Sequence, residues 1–263
     1  MPAETPSTPI SSFSRLVRIA TICAPMLALI GLWQALVSAQ IWPEQVLVSP
    51  FRVASTLWDM AASGELTRHL GASLYRLVVG FLLGSAVGLV SGGAMGLSRI
   101  AFRIGAPLFH AVRQVPIIAF IPLLILFFDV EDSFKIVVVA AASFFPVALG
   151  TMDGIASIPK AHLEVAALYR LPLASLLWRV VLPATVPPIV TGLRLGLTRA
   201  WLSLVAAELL AADSGLGQMM EMGRQLFRID VVMGGVIVAG VIGFLLDRSM
   251  IALERRLGRW RLA

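Results

Sequence analysis

Charged side chains are scarce in this chain, and two sets of them are spaced as if to do chemistry. The first is Glu164, Val165, Ala166 and Ala167, then Arg170 and Leu171, with Leu182-Pro183 closing a stretch in which the proline stands nineteen positions after the glutamate. A glutamate near the start of a short helix suits the positive end of its dipole. Leu163, Ala166, Ala167 and Arg170 follow at i, i+3, i+4 and i+7, so they share one helix face, and the small alanines let a partner approach closely. The chemistry expected is docking, with an ordinary surface helix as the competing reading. The second set is Arg194, Trp201 and Glu208, spaced by seven and therefore drifting only about 20° per step along one face. Charges inside apolar runs are functional candidates. This face is expected to line a passage or a subunit seam, with a polar lock between helices as the alternative. Glu208 is expected near one end of its helix, paired with Arg224 or Arg228. Arg199 lies nine positions before Glu208 and points the other way.

Other reactive groups form no site. His69, His110 and His162 share no metal-ligand spacing. The single Cys23 excludes an internal disulfide and a cysteine-based metal site. No Ser/His/Asp set or carboxylate pair falls in a plausible common cleft, and no phosphate-cradling Walker A loop is present. No catalytic residue, cofactor or metal is expected, and the chain does not read as an enzyme.

The elements that must carry these residues are apolar helices. The chain is 58% hydrophobic and only 14% charged, with a mean hydropathy of +0.89; soluble domains are about half apolar and a quarter charged. About twenty apolar residues cross a bilayer core. Spans are expected over 19–41, 72–97, 107–128, 134–152, 187–210 and 231–251, six in all. The net charge of +6 sits at the ends of these runs, where lipid headgroups and the positive-inside rule account for it, so nucleic acid is not an expected partner. Arg15 and Arg18 put the N-terminus in the cytoplasm, and Arg255, Arg256, Arg259 and Arg261 do the same for the C-terminus. Residues 1–18 read as a disordered tail with no cleavable signal peptide, 19–253 as one membrane domain, and 254–263 as a basic tail. Ser49-Pro50 with Val53, Leu57 and Met60 reads as a short helix lying against the membrane. Gly80, Gly84, Gly88, Gly92 and Gly96 recur every fourth residue, a smooth stripe for close packing against a neighbouring helix. Pro116 and Pro122 predict a bent third span. Arg76 and Arg113, near span ends, read as snorkelling side chains without a substrate role.

The spacing from Glu164 to Pro183 resembles the EAA signature of ABC-importer permeases: Glu, two small residues, three residues, Gly, nine residues, an aliphatic, any residue, Leu, Pro. Ala166, Val180 and Leu182 stand in register, while Val165 and Arg170 depart from it. Further stretches resemble the sulfonate, taurine and nitrate branch of these permeases. They include Ser73 to Arg76 with Gly80-Phe81, Pro116 to Ile125, Phe144 to Val147, Gly192 to Arg194, Val205 to Glu208, and Ser214 to Gly217. The likeness runs from about residue 47 to 260. It implies an all-α type I permease fold with six membrane helices per protomer, in the bacterial inner membrane, working as a homodimer. It also implies two copies of an ATPase subunit docked on a coupling helix at Glu164 to Arg170, and an external solute-binding protein. The implied cargo is taurine or another organic sulfonate, with nitrate or a vitamin precursor as alternatives and a stand-alone secondary transporter as the competing class. An anionic cargo favours an arginine in the pathway, which makes Arg194 the expected contact.

Overall fold

The computed structural model describes residues 12–43 and 46–257. The chain runs as α1 (Ser12–Ser38), α2 (Pro50–Ala62), α3 (Glu65–Leu97), α4 (Arg99–Val112), α5 (Ile121–Phe128), α6 (Asp132–Ala156), α7 (Lys160–Leu168), α8 (Leu173–Leu176), α9 (Leu182–Leu210), α10 (Leu216–Gln225) and α11 (Ile229–Leu257). A 3-10 turn, Ile117–Phe120, precedes α5, and a π turn, Leu177–Val181, precedes α9. The described residues are all helix or connecting turn, as expected. Residues 1–11 and 258–263, parts of the two expected tails, lie outside the described residues, whereas Ser12 to Arg18 is already helical and α11 continues to Leu257.

Among the described residues four helices are long and apolar enough to cross a membrane: Glu65–Leu97, Asp132–Ala156, Ala174–Leu210 and Ile229–Leu257. The pair Arg99–Val112 and Ile117–Phe128, bent by 81° at its break, makes a fifth if it is one span. The break falls at Pro116, as its missing donor and fixed φ require. α1 runs over 27 residues, Ser12–Ser38, and its stretch Ala24–Ser38 is apolar.

The bundle is organised around α6. The glycines of α3 lie flat on it. A methyl on Gly80 would come within 2.7 Å of the Ile136 carbonyl and one on Gly96 within 2.7 Å of Ile155 Cδ1, so the two helices run parallel. On the other side, Gly192 of α9 faces Pro146 and Gly196 faces Ser143, so α9 runs antiparallel to α6. Backbone contact this close is what small residues contribute in a membrane, where no hydrophobic force drives helix against helix. Phe109 of α4 packs edge-on against Phe144 and tilted against Phe145, which holds the bent element to α6.

Two expectations are corrected. The apolar side of α2 is buried in protein and does not lie on the membrane: Val53 is 1% and Met60 5% exposed, and Leu57 packs on Gly234. Phe51 and Trp58 point outward instead. The helix leading into α9 also starts well before residue 187, since Ala174–Leu210 forms one 37-residue helical span. Pro183 lacks the N–H that an α-turn would give to the Arg179 carbonyl. The π turn sits immediately before it, with the Leu182 N–H donating to the Leu177 carbonyl.

Candidate functional site

One end of the bundle carries α7, the other carries α10. At the first end, α7 is a nine-residue helix with Glu164, Val165 and Ala167 exposed and Ala166 buried. Leu168 is 81% and Tyr169 74% exposed, an unusual apolar projection next to charged neighbours. Arg170 is not on the helix face shared by Ala166 and Ala167. It follows the helix in the left-handed conformation, φ +46°. Its N–H donates to the Ala167 carbonyl and the Leu171 N–H to the Ala166 carbonyl, the paired bonds of a Schellman C-cap. A residue at this position needs positive φ, which glycine adopts freely and other residues adopt at a cost. That accounts for glycine in the resembling pattern and locates the departure in this chain. Leu171 and Pro183 are half-buried, and Leu182 is 42% exposed on the first turn of α9.

Along α9 the three spaced residues do not share an open face. Arg194 Nε donates to Asp247 Oδ1 of α11 at 2.6 Å, and Arg194 Nη1 lies 3.7 Å from Glu254. Trp201 is buried and donates Nε1–H to the Ala239 carbonyl, also on α11. Glu208 turns away from both, towards α3 and α10. The structure corrects its expected pairing. Arg224 forms an ion pair with Glu221, whose carboxyl it holds down at about 2, and Arg228 pairs with Asp230.

Glu208 is 1% exposed and its partner is Arg76 of α3, itself 2% exposed, at 2.8 Å. Arg76 therefore does not snorkel. It is the centre of a buried network. Its Nε donates to Asp132 Oδ1 of α6 at 2.7 Å, and its Nη1 and Nη2 donate to the carbonyl and hydroxyl of Ser214, both at 2.6 Å. The Ser73 hydroxyl donates to the Glu208 carboxylate and accepts from the Leu216 N–H at 2.9 Å. Gly217 N–H closes the carboxylate at 3.1 Å, and Gly215 N–H donates to His69 Nδ1 at 3.2 Å. Gly215 holds φ +116°, and a Cβ there would run into the Glu208 carboxylate. Lys135, 1% exposed, donates to the Val130 carbonyl at 3.1 Å. Thus α3, α6, α9 and the loop before α10 are clamped at one point. The signal in the sequence was the pair of opposite charges inside two apolar runs, since buried intramembrane charges pair with one another. The sequence does not say which runs are neighbours.

Among the described residues no group of three His, Cys, Asp or Glu side chains is placed to hold a metal.

Residues 80–259 match the family described as binding-protein-dependent transport system inner membrane component. The chain is 37% identical to the protein named as aliphatic sulfonates transport permease SsuC in Bacillus subtilis, over 89% of this chain and 84% of that one. It is 38% identical to the taurine transport system permease protein TauC of Escherichia coli, over 83% and 78% of the two chains. It is 31% identical to the nitrate import permease protein NrtB of Leptolyngbya laminosa, over 83% and 80%. Its fold is similar to a chain of the MetNI methionine ABC transporter in an inward-facing conformation, with a TM-score of 0.65 and 16% identity over 73% of this chain and 95% of that one. The clamped all-α bundle and the sequence likeness agree. The chain belongs to the family of binding-protein-dependent transport system inner membrane components, a multi-pass membrane permease of the ABC-importer type.

Proposed function

We propose that the chain forms the translocation pathway for a small organic sulfonate such as taurine. It works as a homodimer over two cytoplasmic ATPase subunits and receives cargo from an external solute-binding protein. The α7 end faces the cytoplasm and the α10 end faces outward. α1 supplies a sixth crossing, so both termini are cytoplasmic. Nitrate is the second reading, favoured by the NrtB relative.

The observation that carries the assignment of ends is α7. Its exposed Leu168 and Tyr169, set beside Glu164 and Arg170, are surplus to the packing of the protomer and suit a groove on another protein. α7 is joined through α8 and the π turn to α9, so movement of the docked ATPase reaches a spanning helix directly. ATP-driven closure then biases the bundle between inward-open and outward-open forms, because the docked subunit interacts differently with the two states.

The test is co-purification of the tagged chain with its ATPase, comparing wild type with Glu164→Lys. The variant is expected to insert normally and to lose the ATPase. A wild-type chain that captures no ATPase would overturn the assignment, and a variant that keeps it would move the docking site off Glu164.

A further inference from the structure

We propose that Arg199, on α9, is the residue that contacts the anionic cargo inside the membrane; this rests on the pathway reading above. The sequence favours Arg194 for that contact, but Arg194 is held by Asp247 and Glu254. Arg199 is different. It is exposed on the protomer, and among the described residues no carboxylate lies within ion-pair distance of it.

Its place along α9 argues against both snorkelling and exposure to lipid. Arg199 stands eleven residues before the end of α9 at Leu210 and seventeen after its start at Leu182, about 16 Å and about 25 Å along the axis. Snorkelling serves residues near span ends. The Cα–Cβ bond tilts towards the helix N-terminus, which carries the guanidinium further from the nearer end. An uncompensated guanidinium at that depth is too costly to face lipid, so this side of α9 faces water or a partner.

A fixed partner from a second copy is also lacking. In the described spanning helices every acidic residue except Asp247 lies within about one turn of a helix end, and Asp247 already holds Arg194. The counter-charge must therefore be mobile. The same side of α9 carries Thr198, exposed, among Leu195 and Leu202. A guanidinium with a hydroxyl neighbour and apolar walls suits a small oxyanion with an organic tail, because its fork of N–H donors matches two oxygens of a sulfonate at once. In a dimer around a shared pathway each copy supplies one such group.

The chain has one cysteine, Cys23, so Cys23→Ser gives a background for labelling. In the assembled transporter, Arg199→Cys is expected to react with the water-soluble ethylsulfonate thiosulfonate reagent. In proteoliposomes with its binding protein and ATPase, Arg199→Ala is expected to cut taurine uptake about tenfold or more while the complex still assembles, with partial recovery in Arg199→Lys. Absence of labelling, or uptake in Arg199→Ala equal to wild type, would overturn the inference and leave the permease assignment standing. A wild-type transporter that carries no taurine, no alkanesulfonate and no nitrate would overturn the oxyanion cargo itself, and with it the role given to Arg199.

Discussion

The buried Arg76–Glu208 pair is where a single side chain matters most. Two charges removed from water and lipid are tolerable here because each is saturated: the guanidinium by Asp132, Glu208 and Ser214, the carboxylate by Arg76, Ser73 and Gly217. Removing one partner strands the other, which costs about 3–5 kcal/mol in buried pairs. Arg76→Leu is therefore expected to lower stability by that order, read as the shift in denaturant unfolding in detergent micelles. Adding Glu208→Gln should recover part of the loss, since a neutral amide needs no counter-charge. An Arg76→Leu protein as stable as wild type would show that the network carries little of the fold. The pair also explains why the most legible residues along α9 do not act together. Spacing by seven identifies a common side of a helix, but a helix buried on several sides presents that side to different neighbours at different heights. Arg194 and Trp201 meet α11, while Glu208, within a turn of the end, meets α3 and the α10 loop.

At the scale of elements, the glycine stripe of α3 shows local pattern and tertiary contact agreeing. Gly84 sits on the backbone of Ala140, so any side chain pushes two helices apart, whereas Gly93 has nothing within 4 Å of a Cβ. Gly84→Ala is expected to destabilise by about 1–3 kcal/mol, the usual cost of overpacking. Gly93→Ala should be neutral or stabilising by about 0.5–1 kcal/mol, since alanine is the better helix former. Thermal unfolding of the two single variants checks the contrast, and equal effects would place the α3–α6 seam elsewhere. The less legible elements are those whose direction is set by neighbours. α2 has an amphipathic pattern that fits a membrane surface as well as a protein surface, and only the presence of α11 and α3 beside it decides that Val53 and Met60 are core. The start of α9 is equally hidden, because Pro183, Pro187 and Pro188 read as a boundary. The π turn lets the helix continue through the first of them.

At the scale of the molecule, the number of crossings fixes the relation of the two termini. Six crossings put both on one side, five put them on opposite sides. In the Cys23→Ser background, cysteines introduced as Ser7→Cys and Ala263→Cys are expected to be labelled by an impermeant thiol reagent only from the cytoplasmic face, and Asp213→Cys only from the outer face. Labelling of the two terminal cysteines from opposite faces would remove α1 as a crossing. What the sequence determined by itself follows from short-range rules. Runs of apolar residues long enough for a bilayer, a stripe of small residues, prolines where a span bends, and the Glu164 to Pro183 spacing are all properties of neighbours along the chain, and the helix converts them directly into faces and lengths. The tertiary structure alone decided the pairings: Arg76 with Glu208, Arg194 with Asp247, and the absence of any partner for Arg199 among the described residues. An ion pair joins residues more than fifty positions apart in each of the two cases. Which helices meet, and at what height, depends on packing summed over the whole bundle, and no local pattern encodes that sum.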